Sequence, residues 1–220
     1  MRPANTSVKH NDAMNIPQLE EQLVLAKSHL TQILEAGRKS DKFKESLVAF
    51  EAVASAQRNL AAAKGEEYAK PHNIGFVPEA AVPEPVLLQT EYAAVITFCA
   101  VRQNQDGKRV EAGYGIVDLD LCSTTKFGYP NDEALSGHPL YQKGLRAYGV
   151  FEVLNSNWIR LKTEQNRVAF PNTPESTQRH FIFTFHDSTF ECIAHGLRAT
   201  LNTKPYAEIF EEVRQRVFKI

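Results

Sequence analysis

Chemical signposts are scarce in this chain. Only three of its 220 residues are cysteines, Cys99, Cys122 and Cys192, far apart and never in CxxC spacing. That argues against a disulfide framework and against a thiolate zinc site. Free thiols suit a reducing compartment, so the expected location is cytoplasmic. No stretch approaches the roughly 18 apolar residues of a membrane-spanning helix. The N-terminal run MRPANTSVKHNDAMN lacks the apolar core of a secretory signal. Unbalanced charge is missing too: the formal net charge is −1. A broad phosphate-binding surface needs clustered, unbalanced Lys and Arg, so nucleic acid is not the favoured partner. There is no P-loop, no HExxH and no GxSxG, and the GYG at 113–115 is not a dinucleotide fingerprint. No cofactor is expected.

What is present suits a soluble globular chain. Apolar residues make up 43 % and charged residues 23 %, and thirteen Phe with seven Tyr can fill a core. Residues 1–15 are polar and read as disordered. Ile16, Leu19, Leu23, Ala26, Leu30 and Ile33 then follow a 3/4 spacing, the seam of a coiled-coil helix. Pro17 suits the first turn and Gly37 the stop. A second helix starts at Ser40 or Asp41 and carries Phe43, Leu47, Phe50, Ala54, Gln57 and Ala61 in the same rhythm up to Gly65. Residues 16–65 therefore form an αα-hairpin. Two helices bury little surface alone, so the hairpin is expected to pair with a protein partner or with a second copy. Its packing on the rest of the chain is the other option.

Residues 66–90 hold four of the eleven prolines and read as an extended linker. Beyond it, residues 91–220 alternate strands with two helices. One helix follows a cap at Ser156 or Asn157; the other is PYAEIFEEVRQRVF, with Tyr206, Ile209, Phe210, Val213 and Val217 on one face. NQDG at 104–107 is hairpin-turn chemistry. The expected fold class is α+β: an N-terminal helical hairpin, a Pro-rich linker and a mainly antiparallel sheet.

The densest stretch is RHFIFTFHDSTFECIAHGL, residues 179–197, with three of the seven histidines. It reads as a β-hairpin turning at Asp187-Ser188. A four-residue loop from His186 to Thr189 would set Phe185 opposite Phe190, Phe183 opposite Cys192, and His180 opposite His195. Cys192 then shares a greasy face with three phenylalanines, where a thiol is a poor nucleophile. The other face carries His180, Thr184, His186, Thr189, Glu191 and His195. Directly opposed, His180 and His195 could share a metal or a phosphate. Glu191 sits about 13 Å from His195 along the strand and could not complete that site. A third ligand would come from His138 or Asp132.

The segment 127–149, FGYPNDEALSGHPLYQKGLRAYG, is longer than ordinary connections and rich in aromatics, which suits an ordered functional loop. Asp132, Glu133 and His138 form an acid–base or metal set. Tyr129, Tyr141, Lys143 and Arg146 form a partner-binding or anion-binding set.

Three functions follow. The leading one is a non-catalytic binding or accessory protein (a regulator, an immunity or antitoxin protein, or an assembly factor). It would dock or self-associate through residues 16–65 and present the sheet and loop. The alternative is a hydrolase or phosphoryl-bond enzyme, with or without a metal, sited between the 127–149 loop and the His-bearing face. Its catalytic pool is Asp132, His138, His180, His186, Glu191 and His195, with His180 and His195 as metal ligands. The third is a nucleic-acid-associated protein using Arg102, Lys108, Arg109, Lys126, Lys143 and Arg146 with Tyr114, Tyr129 and Tyr141. Convergence of His138 on His180 or His195 in a concave pocket favours the enzyme; histidines scattered on an open face favour the binder.

Overall fold

A computed structural model describes residues 15–36, 40–103 and 109–218. Disorder at the N-terminus, the stop at Gly37 and the 104–107 turn fall outside these residues. The chain divides into two compact units, Met1–Lys64 and Gly65–Ile220.

The first unit is a pair of helices, α1 (Ile16–Glu35) and α2 (Ser40–Ala63). Asn15 caps α1 in a reciprocal box with Gln18, each side chain accepting the other's backbone N–H at 3.0 Å. This satisfies two orphan donors at the helix start. Along α1, Leu19, Leu23, Ala26, Leu30 and Ile33 are the covered positions, in the heptad phase expected, but Ile16, the first residue of that seam, is exposed. Lys64 at the end of α2 reaches Glu20 at the start of α1, 2.7 Å apart, so the helices run antiparallel. The phase of α2 differs from expectation. Ala54, Gln57 and Ala61 are buried, but Leu47 and Phe50 are exposed, and Ala49, Val53 and Ala56 are buried instead. Small side chains line the covered stripe and leave the bulky ones outside. The side chain of Phe43 lies outside the described residues.

The second unit is a two-sheet sandwich with an added layer on each outer face. Its strands are β1 (Tyr68–Pro71), β2 (Val77–Pro78), β3 (Val86–Gln89), β4 (Ala94–Gln103), β5 (Arg109–Asp120), β6 (Thr124–Gly128), β7 (Gly149–Leu154), β8 (Arg179–Thr184), β9 (Thr189–Ala194) and β10 (Gly196–Asn202). Two helices complete it, α3 (Asn157–Ala169) and α4 (Tyr206–Phe218). One sheet has the order β1-β7-β8-β9-β6, the other β10-β5-β4-β2 with β3 also on β4, and every pairing is antiparallel. This is an α+β chain.

Between the sheets lies an aromatic core. Ile96, Phe98, Val117 and Leu119 face Phe181, Phe183, Phe185, Phe190 and Cys192, all buried. On the outer face of the second sheet, Ile209, Val213 and Val217 of α4 cover Val95 and Ile116. On the outer face of the first, Leu135, Leu140 and Leu145 of the 129–148 segment cover Ala69, Phe151, Val153 and Ile182. This double cover explains why HFIFT does not alternate: both faces of β8 are buried, and a two-sided strand reads as a continuous apolar run.

Two elements differ from the sequence reading. Residues 66–90 are extended but are not a linker, because β1, β2 and β3 lie there and pair with β7 and β4. Pro71 and Pro78 end short strands, where a missing N–H costs no ladder bond. The β8–β9 hairpin also keeps a different register. Thr184 faces Thr189, Phe183 faces Phe190, Phe181 faces Cys192, and His180 faces Ile193. The loop runs Phe185 to Ser188, with the Phe185 N–H donated to Ser188 O at 2.8 Å. The shift is two residues, so each side chain keeps its expected face, but His180 and His195 are not opposed.

At one end the two sheets share strands. β5 runs on into β6 and β9 into β10, so two long strands bend together from one sheet to the other. His195 N–H bonds to Asp120 O at 2.8 Å and Ser123 N–H to Ile193 O at 2.9 Å across the bend. Leu121 takes a left-handed φ of 46° there.

Candidate active site

The site is built from the junction of β7 with α3 and from the outer face of β8 and β9. Asn155, with φ of 54°, makes the sharp exit from β7; asparagine tolerates that conformation better than other side chains. Ser156 then caps α3, its Oγ accepting the Ile159 N–H at 3.2 Å. The same Oγ lies 2.9 Å from His180 Nδ1 on β8. His180 Nε2 lies 3.0 Å from Glu191 Oε2 on β9. Serine, histidine and glutamate are thus joined in one hydrogen-bonded chain, with His180 only 3 % exposed.

Proton positions in this chain follow from its chemistry. Burial alone would push the Glu191 carboxyl up, but contacts from His138 and His180 outweigh it and hold Glu191 well below the usual carboxylate range. An ionised carboxylate only accepts, so His180 Nε2 carries the hydrogen. In neutral imidazole Nδ1 is then an acceptor, and the Ser156 hydroxyl donates to it. His138 is fixed in a similar way. The Leu140 N–H donates to its Nδ1 at 3.1 Å, so Nε2 carries the hydrogen and points to Glu191 Oε1 at 3.8 Å. That distance is an ion-pair contact rather than a hydrogen bond. Lys126 Nζ stands 4.0 Å from the same oxygen and 3.8 Å from the centre of the Trp158 ring. Trp158 meets His180 edge to face, with ring centres 5.2 Å apart.

Two concavities flank the chain of side chains. Ser156 lines a cleft of about 790 Å³ together with Asn155, Lys143, Arg160 and Arg179. His180 and Glu191 line a second of about 380 Å³ with Lys126, His138 and Trp158. Glu67 and Asn157 border both, and the Asn157 N–H donates to Glu67 at 2.9 Å. Ser156, 8 % exposed, thus borders the first cleft, and His180 and Glu191 border the second.

The catalytic pool read from sequence divides. His138, His180 and Glu191 converge. Asp132 and His186 form a separate cluster at the tip of the β8–β9 hairpin. There Asp132 Oδ2 accepts from the Tyr148 hydroxyl and lies 3.0 Å from His186 Nδ1. The Tyr148 bond, together with His186 and against burial, lowers the Asp132 pKa, and Asp132 in turn raises that of His186. Burial and the Asp132 carboxylate push Tyr148 up to about 12. His195 is exposed in a third groove beside Ser123 and Thr163, away from His180. The expected exclusion of Glu191 from the His180 site is reversed: the true register sets Glu191 diagonal to His180, within hydrogen-bond reach. Among the described residues no group of three His, Cys, Asp or Glu side chains is placed to hold a metal ion.

The partner-binding set is largely engaged within the fold. Lys143 pairs with Glu66 at 3.0 Å. Arg146 donates to Tyr141 O and Leu145 O and lies over the Tyr141 ring. Tyr129 alone is open, 81 % exposed. Tyr114 is packed against Tyr206, and the side chains of Lys108 and Arg109 lie outside the described residues. Ser156 and Trp158 were not singled out as site residues from sequence, and Lys126 was placed only in the nucleic-acid set. The available signal was a hydroxyl at a strand-to-helix junction, which ordinary capping explains equally well.

No family model matches the chain, and neither a curated protein nor a solved structure does. Among the described residues no helix is long and apolar enough to cross a membrane.

Proposed function

We propose that the Gly65–Ile220 unit is a hydrolase that cleaves an acyl ester, with Ser156 as nucleophile, His180 as general base and Glu191 holding His180. The observation that carries this reading is the unbroken chain Ser156 Oγ–His180 Nδ1–His180 Nε2–Glu191 Oε2, with links of 2.9 and 3.0 Å. A hydroxyl is a weak nucleophile until a base within hydrogen-bond reach accepts its proton, and a third group orients that base. As Ser156 Oγ attacks the carbonyl, its proton passes to His180 Nδ1. The imidazolium is stabilised through Nε2–H to Glu191, and it returns the proton to the departing alcohol. Water then takes the place of the alcohol and releases the acid. The first-turn amides of α3 serve the developing oxyanion. Asn157 and Ile159 are engaged by Glu67 and Ser156, which leaves the Trp158 N–H as the donor for that role.

A panel of nitrophenyl esters of rising acyl length tests the proposal on purified protein. Turnover by the wild type should fall at least about 100-fold in Ser156→Ala, His180→Ala and Glu191→Gln alike, because members of one relay fail together. Turnover that persists in Ser156→Ala would remove the serine from the mechanism.

A second reading concerns the helical pair, and we place it beside the first. Val24, Leu25, Leu34, Leu47, Val48 and Phe50 are large apolar residues exposed on the hairpin. Helices with such residues in the open are suited to self-association. In this reading the protein is a cytoplasmic homo-oligomer that docks through residues 16–65.

A further inference from the structure

Two of the concavities adjoin. The cleft that Ser156 borders and the third groove, where His195 stands, share Ile159, Glu175, Ser176 and Gln178 as walls. Their volumes are about 790 and 460 Å³. One side is α3. The other is the segment 173–178, which runs back beside α3 toward β8 and belongs to no helix or strand. Its start is tied to the end of α3, where Asn166 Nδ2 donates to Thr173 Oγ1 at 3.2 Å and Arg167 Nη2 to Glu175 Oε1 at 2.7 Å. Its end is tied to the sheet bend, where Ser123 Oγ donates to Gln178 Oε1 at 3.0 Å. Between these ties residues 174–177 are exposed. Among the described residues the backbone N–H and C=O groups of Glu175, Ser176 and Thr177 have no hydrogen-bond partner. The stretch of α3 from Ile159 to Asn166 that walls the third groove is about 10 Å long. That is the length of about three extended residues.

We propose that this groove binds an extended peptide, so that the acyl group delivered to Ser156 is a peptidyl one; this occupant rests on the hydrolase reading and supplies its substrate class. The lining decides among occupants. Among the described residues neither cavity is walled by Phe, Tyr or Trp, so a sugar ring or a base finds no stacking face. The cations of the first cleft are answered within the fold. Lys143 pairs with Glu66 at 3.0 Å, Arg179 with Glu152 at 2.6 Å, and Arg160 donates to Asn157 Oδ1 at 2.9 Å. No unpaired basic cluster therefore awaits a phosphate. A long alkyl chain would strip water from Ser123, Thr124, Thr173, Ser176 and Thr177 and return no hydrogen bonds. A peptide returns them, because each of its residues offers a donor and an acceptor. Laid along residues 175–177 it adds as a strand to their open backbone groups, and the hydroxyls across the groove meet its other edge. The chemistry at Ser156 is that already derived. The peptidyl carbonyl carbon bonds to Ser156 Oγ as the ester C–O bond breaks, and the serine proton leaves through His180 with the alcohol. Water then releases the peptide acid. Glu175, Ser176 and Thr177 hold the chain and touch no reacting atom.

Two series of nitrophenyl esters test this on the full chain: acetyl-oligoalanine esters with zero to three alanines, and straight-chain alkanoates of matching length. Along the peptide series kcat/KM should rise at least about 10-fold, through KM, while the alkanoates stay within about threefold. Thr177→Pro removes one of the open N–H groups and should bring the ratio of the longest to the shortest peptide ester back toward one. An equal gain along the alkanoates, or no gain from peptide length while the acetyl ester is turned over, would overturn the peptide groove and leave the hydrolase reading standing. Binding is read separately in Ser156→Ala, where no acyl transfer can intervene. Acetyl-trialanine amide at millimolar concentration should shift the backbone amide NMR signals of Glu175, Ser176 and Thr177. Unshifted signals there would overturn the groove whatever the ester kinetics. Shifted signals in a protein whose wild type turns over no ester would keep the groove and overturn the serine chemistry.

Discussion

Glu191 holds two histidines by its two oxygens, and each imidazole has its other nitrogen already engaged, His180 by Ser156 and His138 by the Leu140 amide. Tautomers fixed from behind in this way keep a base oriented without substrate. The Asp132–Tyr148–His186 cluster has a different logic, because it pins a loop. Its carboxylate is depressed and its histidine raised. The His186 contribution to stability is present in full below its unfolded value, about 6.5, and is lost as pH rises through the higher folded value. The Asp132 contribution is present above its unfolded value, about 3.9, and is lost as pH falls through the lower folded one. NMR titration of the His186 ring should therefore give a midpoint above the ordinary histidine value, returning toward it in Asp132→Asn. A midpoint unchanged by that substitution would contradict the pairing. Residues of both clusters, Asp132, His138, His180, His186 and Glu191, were legible in the sequence as chemistry-bearing groups. Their assignment to two clusters was not, because it depends on a register that spacing alone leaves open. Ser156 was legible only as a cap, since a cap and a nucleophile ask for the same hydroxyl.

At the scale of elements, the β8–β9 hairpin sets everything else. Parity along it was legible: Phe181, Phe183, Phe185 and Cys192 face the core, as the alternation requires. The two-residue register shift was not, because an even slip preserves every face and only long-range packing distinguishes the two pairings. Phe183 shows what that packing is worth. It touches the rings of Phe98, Phe185 and Phe190 and is fully buried. Phe183→Ala should cost about 3–5 kcal/mol in urea unfolding, since the rigid strands around it cannot close the cavity. A loss below about 1 kcal/mol would mean that the two sheets are not packed through this ring. The short strands β1, β2 and β3 escaped sequence reading because proline and polar residues punctuate them, and edge strands tolerate both.

At the scale of the whole molecule, the chain is two compact units with different tasks in the account proposed here. The α1 seam was legible because a 3/4 apolar spacing has few other meanings. The covered stripe of α2 was not, because its alanines carry a weak hydrophobic signal and the eye follows Leu47 and Phe50. If the exposed apolar residues of the hairpin serve self-association, the full chain should behave in light scattering as a dimer or larger. A chain beginning at Gly65 should then be monomeric and keep its ester turnover. A full-length monomer would contradict self-association and leave the hydrolase reading standing. The central claim is that Ser156 is an activated nucleophile, and its most direct test is covalent. The intact protein is treated with a fluorophosphonate, and the adduct is weighed and mapped. The account predicts one adduct per chain, on Ser156, absent in His180→Ala. An unmodified Ser156 in a correctly folded wild type would contradict it.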